Sequence, residues 1–115
     1  LEVEATLAEN PMIARVAVAP VPDEIRGDEV MAAIILQMGI AAEEQVARQI
    51  FQHCYDAMVY FKVPGYIAFL NELPLTASQK PKRAELKTLC RELVERKACF
   101  DLRNMKLRQH KRTIT

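Results

Sequence analysis

The sequence LPLTASQKPKR, residues 73–83, is the part of the chain that decides how the rest is interpreted. Small polar residues in its middle predict a turn, and they lead directly to Lys80, which precedes Pro81. A residue before proline is driven away from helical backbone angles and towards extended ones. We therefore expect Lys80 to lie on a loop, where its long side chain can reach a partner outside this segment.

The segments on either side of this loop alternate between helical and extended patterns. Apolar residues at helical spacing predict helices, and runs rich in Val and Ile predict strands. The predicted helices span residues 2–9, 42–57 and 83–97, the strands span 12–19, 29–37 and 66–72, and a loop occupies 20–28. The unbroken apolar run 30–36 indicates burial on both faces. We predict a small α+β domain with a short, mainly antiparallel sheet and flanking helices.

The last fifteen residues show no hydrophobic period. They carry the basic residues Arg103, Lys106, Arg108, Lys111 and Arg112. We therefore divide the chain into a folded domain, residues 1–100, and a basic C-terminal tail, residues 101–115, which we expect to fray.

Composition is that of a globular protein with one modest core. The chain has 115 residues, of which 50% are hydrophobic and 27% charged. No apolar run approaches the roughly 20 residues of a membrane span, so we expect no such span. The odd set Cys54, Cys90 and Cys99 contains no Cys-x-x-Cys pair, which argues against a zinc or disulfide framework and favours a reducing, cytoplasmic location.

The charges are distributed unevenly along the chain. Residues 1–79 hold four basic and eleven acidic side chains, whereas residues 80–115 hold twelve basic and four acidic ones. This asymmetry predicts an anionic partner for the C-terminal third. A solvated basic helix and tail is the alternative interpretation.

The lysine segment resembles the pattern Pro-x-Thr-x-(Ser/Ala)-Gly-Lys-x-x-Arg near the end of adenylate-forming (AMP-binding) enzymes. Four other segments resemble the same C-terminal domain in the same order: LEVE at 1–4, NPMIARVAV at 10–18, VPDEIRGDEV at 21–30 and YFKVPGYI at 60–67. An ordered set is far more specific than any one motif. Within that superfamily the pattern is most similar to acyl-CoA synthetases, and leans towards the carnitine/crotonobetaine-CoA ligase type.

The resemblance implies roles for individual residues. Lys80 is placed as the adenylation lysine, carried on a mobile lid domain. Phe61 and Lys62 are placed near the CoA nucleotide, with a core position for Phe61 as an equally weighted alternative. Gly27 is placed in a hairpin that faces substrate, although a simple turn is the favoured interpretation. The resemblance places no metal ligand in this domain.

One residue departs from the family pattern. Gln79 stands where glycine usually precedes the lysine. Because glycine tolerates positive φ and glutamine does not, we expect either a conventional backbone at this position or altered activity.

The resemblance also implies what the whole enzyme does. It would be an AMP-forming acid–thiol ligase of fatty acid metabolism that joins a carboxylic acid to CoA, using ATP and Mg²⁺. A large N-terminal domain, absent from this chain, would hold the metal and most of the ATP site. The chain alone is therefore expected to be inactive.

Two alternatives stay open from the sequence. An adenylation domain that loads a carrier protein would share the lysine and the fold. A basic nucleic-acid-binding module would bind in a strongly salt-dependent way. Residues 81–115 contain one aromatic residue, Phe100, and no nucleic-acid fold signature, so we predict no nucleic-acid partner.

Overall fold

The computed structural model describes residues 2–24 and 27–106. Three helices, four strands and one short 3-10 turn follow in chain order. They are α1 (Glu2–Ala8), β1 (Ile13–Asp23), β2 (Gly27–Leu36), α2 (Glu44–Ala57), the 3-10 turn (Tyr60–Lys62), β3 (Tyr66–Phe69), α3 (Arg83–Glu95) and β4 (Phe100–Asp101). The predicted α+β class is confirmed.

The four strands form one sheet in the order β1-β2-β3-β4. β1 and β2 form a long antiparallel hairpin, β3 pairs with β2 in parallel, and β4 pairs with β3 in antiparallel fashion. The parallel pair needs a long crossover connection, and α2 lies in the segment that supplies it. The sheet is therefore mainly antiparallel, as predicted.

Helices cover both faces of the sheet. Two hydrophobic clusters result, one joining α1 and α2 to the sheet and the other joining α3 to it. In β2, Ala32 and Ile34 face the first cluster, whereas Met31 and Ala33 face the second. All four are completely buried, which confirms that this apolar run is a strand covered on both faces.

The prediction of a loop over residues 20–28 was wrong at both ends, since residues 20–23 belong to β1 and residues 27–28 to β2. Pro20 and Pro22 lie inside β1, and the pairing with β2 continues in register to Asp23 opposite Gly27. β1 is the outer strand of the sheet, where a missing N–H costs no ladder hydrogen bond. The prolines are thus compatible with an edge strand, although they would break a central one.

The prediction that the chain frays from residue 101 was also wrong for the part that the structure describes. Asp101 belongs to β4, and Leu102 is buried in the first cluster. Lys106 is completely buried, with its ammonium 2.8 Å from Glu29 Oε1. Residues 101–106 therefore belong to the fold, and the rest of the predicted tail, residues 107–115, lies outside the described residues. None of the described helices combines the length and the apolar character needed to cross a bilayer.

Candidate active-site loop

The candidate lysine lies on a closed loop between β3 and α3. Leu75 and Pro81 form an antiparallel bridge at its base. Next to this bridge, the Lys82 N–H donates to the Pro74 carbonyl over 2.8 Å. These contacts hold the two ends of the loop together, so that residues 76–80 form a compact tip.

Thr76 makes most of the contacts inside this tip. Its N–H donates to the Lys80 carbonyl over 2.7 Å, and its own carbonyl accepts from the Gln79 N–H over 2.9 Å. Its hydroxyl accepts from the Lys80 N–H over 3.1 Å and lies 3.1 Å from the Ser78 hydroxyl. Thr76 therefore holds both backbone polar groups of Lys80.

The Lys80 side chain is exposed, as predicted. Among residues 2–24 and 27–106, no carboxylate forms an ion pair with its ammonium. An exposed ammonium on a hydrogen-bonded loop is available to an anion brought from outside this domain.

The backbone at Gln79 corrects the expectation of a conventional conformation. Gln79 has a φ of 68°, in the left-handed region that glycine would adopt without a steric cost. The loop therefore keeps a backbone typical of glycine, although the residue is glutamine. Of order 1 kcal/mol of backbone strain is expected for a non-glycine residue there.

An ion pair joins the base of the loop to α1, which is distant in the sequence. The guanidinium of Arg83, the first residue of α3, contacts both Glu4 oxygens over 2.8 and 3.1 Å and donates to the Val18 carbonyl over 3.1 Å. The Val18 N–H donates to Glu4 Oε2 over 2.8 Å. Burial raises the pKa of the Glu4 carboxyl, but the hydrogen bonds from Arg83 and Val18 outweigh burial and lower it overall.

Phe61 and Lys62 lie in the 3-10 turn. The Phe61 side chain is 60% exposed and its ring meets that of Tyr60 edge-on, so the core interpretation of Phe61 is wrong. The Lys62 ammonium lies 2.7 Å from Glu2 Oε1. The first turn of α1 thus contacts Lys62 through Glu2 and Arg83 through Glu4, and no described contact joins Lys62 to Lys80 directly.

Gly27 begins β2 at the end of the hairpin. It has a φ of 82°, and a side chain there would meet no atom within 4 Å. The positive φ explains why glycine suits this turn. A role for Gly27 in substrate contact stays a prediction.

Part of the C-terminal basic charge is neutralised inside the domain. Arg103 pairs with Asp23 and Asp101 at 2.8 Å each, and its guanidinium lies 4.9 Å from the centre of the Tyr66 ring. Like the Arg83–Glu4 and Lys106–Glu29 pairs, the Arg103–Asp23 pair joins a basic residue of the C-terminal third to an acidic residue of the N-terminal part. The uneven charge of the sequence is therefore partly an internal complementarity, and it indicates an anionic partner less strongly than the composition suggested.

The cysteines give no sign of a nucleophile or a metal site. Burial raises the pKa of the Cys54, Cys90 and Cys99 thiols to about 11, so they stay protonated near neutral pH. Over the described parts of the chain, no group of three or more His, Cys, Asp or Glu residues could hold a metal ion.

Sequence reasoning missed the supporting residues of this site. Thr76 and Arg83 belong to the quoted lysine segment, and Glu4 belongs to the quoted first segment, but only Lys80 was assigned a role. A signal existed, because a family pattern that retains Thr and Arg at fixed distances from the lysine indicates a structural reason for both.

Both the sequence and the fold of the chain have relatives among known proteins. The family described as AMP-binding enzyme C-terminal domain matches residues 2–80. A 4-hydroxybutyrate–CoA ligase from Metallosphaera sedula is 40% identical over 86 residues, and the mitochondrial acyl-coenzyme A synthetase ACSM3 of Mus musculus is 41% identical over 88. Each alignment covers 75% of this chain and 15% of the relative, so the chain spans about one seventh of the length of these relatives.

Solved structures show the same correspondence. A Brucella canis acyl-CoA synthetase superposes with a TM-score of 0.75 at 32% identity, over 79% of this chain and 17% of that one. The anthranilate CoA ligase AuaEII, in complex with anthranoyl-AMP, gives a TM-score of 0.74 at 36% identity, over 82% of this chain and 18% of that one.

Proposed function

Because the chain belongs to the family of AMP-binding enzyme C-terminal domains, we propose that it supplies the adenylation lysine, Lys80, to an AMP-forming acid–thiol ligase. The observation that carries the proposal is an exposed ammonium that pairs with no carboxylate of residues 2–24 and 27–106, on a loop whose backbone is fixed by hydrogen bonds. The matching relatives are CoA ligases and acyl-CoA synthetases, which supports CoA over a carrier protein as the acceptor.

The proposed chemistry needs a positive charge at a particular place. In adenylation, a carboxylate oxygen attacks the α-phosphorus of ATP, the bond to the β-phosphate oxygen breaks, and pyrophosphate leaves with the bonding electrons. Two anions must approach each other, and negative charge builds on the phosphate oxygens. An ammonium held beside both reduces the repulsion and stabilises the transition state. Lys80 can act in this way without giving up its proton.

Mg²⁺ and most of the ATP contacts would be supplied by the remainder of the enzyme. Residues 2–24 and 27–106 contain no metal-ligand cluster, so we assign no Mg²⁺ ligand among them. When bound with ATP elsewhere, Mg²⁺ neutralises phosphate charge. This domain would contribute the ammonium that bridges to the carboxylate.

A second surface would serve the thioester-forming step. Phe61 is exposed beside Lys62, an aromatic face and a cation that suit an adenine ring and a phosphate. Since no described contact joins this turn to Lys80, one domain could present the two surfaces in turn by rotating as a body. We therefore propose that the domain alternates between an adenylation and a thioester-forming orientation.

The proposal is tested by separating the two half-reactions in the full-length enzyme. Adenylate formation is measured as pyrophosphate release with the best acid from a panel of carboxylic acids, and thioester formation is measured from preformed acyl-adenylate and CoA. Lys80→Ala should slow the first by at least about 10²-fold, the scale of one preorganised electrostatic group. The second should change by less than about threefold, because the ammonium serves only the first step.

Two variants serve as controls. Lys82→Ala removes an exposed lysine two residues away and should leave both rates unchanged. Phe61→Ala should give the opposite pattern to Lys80→Ala, with adenylation retained and the KM for CoA raised. Equal losses in both half-reactions for Lys80→Ala would contradict the assigned role.

A further inference from the structure

We propose that Thr76 is a positioning residue for Lys80, an inference that rests on the proposed function of Lys80. Thr76 itself is not expected to touch substrate. It acts through the backbone of the lysine, whose N–H and carbonyl both bind Thr76.

The geometry distinguishes the hydroxyl of Thr76 from the other contacts of the loop. Three of the hydrogen bonds around the tip are between backbone groups and survive any side-chain change: Thr76 N–H to Lys80, Gln79 N–H to Thr76, and Lys82 N–H to Pro74. Of the described bonds to the Lys80 backbone, the one from its N–H to Thr76 Oγ1 depends on a side chain. Loss of this bond would remove a restraint on the peptide between Gln79 and Lys80. The base of the loop would stay closed, because its contacts are between backbone groups.

The orientation of that peptide decides where the ammonium points. Gln79 already holds a left-handed φ, a conformation that persists when neighbouring contacts enforce it. The next residue, Pro81, restricts Lys80 from the other side. The Thr76 hydroxyl thus fixes the remaining freedom at the point where the lysine stem begins, and misplacement of a catalytic group by about 1 Å can cost up to about 10²-fold in rate.

The methyl group of Thr76 gives a clean way to separate the hydroxyl from the shape of the side chain. Valine keeps the β-branched shape and removes the hydrogen bond, whereas serine keeps the hydroxyl and removes the methyl. Ser78→Ala removes the other hydroxyl of the tip, which lies 3.1 Å from that of Thr76 and binds no described backbone group of Lys80. This variant is the matched control.

The test uses the full-length enzyme and the two half-reactions defined above. Thr76→Val should lower the rate of adenylate formation by about 10-fold, the value of one hydrogen bond in kinetic terms. Thioester formation from preformed acyl-adenylate should stay within about twofold of wild type, and Thr76→Ser should restore adenylation. If Thr76→Val does not fold, Thr76→Ala replaces it in every comparison.

A double-mutant cycle shows whether the effect passes through Lys80. Adding Thr76→Val to Lys80→Ala should cause no further loss of adenylation, because the lysine that Thr76 positions is gone. The inference would be overturned if Thr76→Val slowed adenylation in the Lys80→Ala enzyme as much as it does in the otherwise wild-type enzyme. Equal losses in both half-reactions for Thr76→Val alone would also overturn it. If Lys80→Ala itself shows no selective loss, the proposed function fails, and the inference fails with it. A selective loss for Lys80→Ala beside a normal Thr76→Val enzyme removes only the inference.

Discussion

Lys80 and Lys106 belong to the same basic third of the chain, yet the fold treats them in opposite ways. Lys80 is exposed, and its position is fixed through its backbone, which binds Thr76 on both sides. Lys106 is completely buried, and its position is fixed through its ammonium, which lies 2.8 Å from Glu29 Oε1. The charge of the first lysine is exposed at the surface, whereas the charge of the second is used in an ion pair within the domain.

The difference has a physical cause. Lys80 stands in a loop that ends in Lys-Pro, so that its backbone is extended and its side chain is not covered by a neighbouring turn. Lys106 follows Leu102 by one helical turn, and Leu102 is buried against the sheet, so the lysine stem follows the leucine inwards. Burial of an ammonium is tolerable only with an acidic partner, and Glu29, itself buried, is that partner.

The largest effect on stability is expected from Lys106→Met. Methionine keeps the bulk of the side chain but removes the ammonium that lies 2.8 Å from the buried Glu29 carboxylate. Removing one partner of a buried ion pair lowers the free energy of unfolding by about 3–5 kcal/mol. Urea unfolding of the chain measures this loss. Lys87→Met, at an exposed position of α3, should change the free energy of unfolding by less than about 0.5 kcal/mol. Equal changes in the free energy of unfolding for the two variants would mean that the buried ion pair contributes nothing to stability.

A smaller effect is expected in the lysine loop. Gln79→Val places a β-branched side chain at a φ of 68° and should lower the free energy of unfolding by about 1–2 kcal/mol. Gln79→Gly removes the strain and should leave stability unchanged or raise it by less than about 1 kcal/mol. Ser78→Gly is the control, because it adds the same flexibility without relieving a positive φ. A Gln79→Val chain as stable as wild type would show that this backbone conformation is not required.

The smallest effect is expected at the Arg83–Glu4 ion pair at the base of the loop, and it depends on pH. The folded state lowers the pKa of Glu4 from its ordinary value of 4.5, so the ionised carboxylate stabilises the fold above that value and the contribution is lost as the pH falls through the folded pKa. Glu4→Gln should therefore be less stable than wild type at neutral pH, and the two should converge in acid. The difference should be below about 1 kcal/mol, because the Arg83 side chain is 52% exposed.

Urea midpoints recorded from neutral pH to well below 4.5 measure this convergence. Glu9→Gln changes an exposed residue just beyond α1 and serves as the control. A difference in urea midpoint between Glu4→Gln and wild type that is constant at every pH, or that widens in acid, would contradict a stabilising role for the ionised Glu4 carboxylate.

The sequence was sufficient for the features that depend on local pattern. The two-sided burial of β2 follows from its apolar run, and the exposure of Lys80 follows from its proline and polar neighbours. The sequence was insufficient wherever a distant partner decides the outcome. Pro20 and Pro22 locally favour a loop, and nothing in the neighbouring sequence shows that β1 is an edge strand.

The same limit applies to the C-terminal segment and to the loop backbone. Lys106 lacks any local sign of its partner, since Glu29 lies far away in the sequence. Gln79 adopts a left-handed φ because contacts from Thr76 enforce it, and propensity alone argues against that conformation. In both cases tertiary contacts override the local preference.

The most direct test of the account compares Lys80→Ala and Lys106→Met in one experiment. For each variant, the rate of adenylate formation per folded full-length enzyme and the free energy of unfolding of this domain are measured together. We expect the two variants to show opposite defects. Lys80→Ala should lose adenylation and keep its free energy of unfolding, whereas Lys106→Met should lose stability and keep its adenylation rate. A Lys80→Ala enzyme that is destabilised but adenylates normally once folded would contradict this expectation.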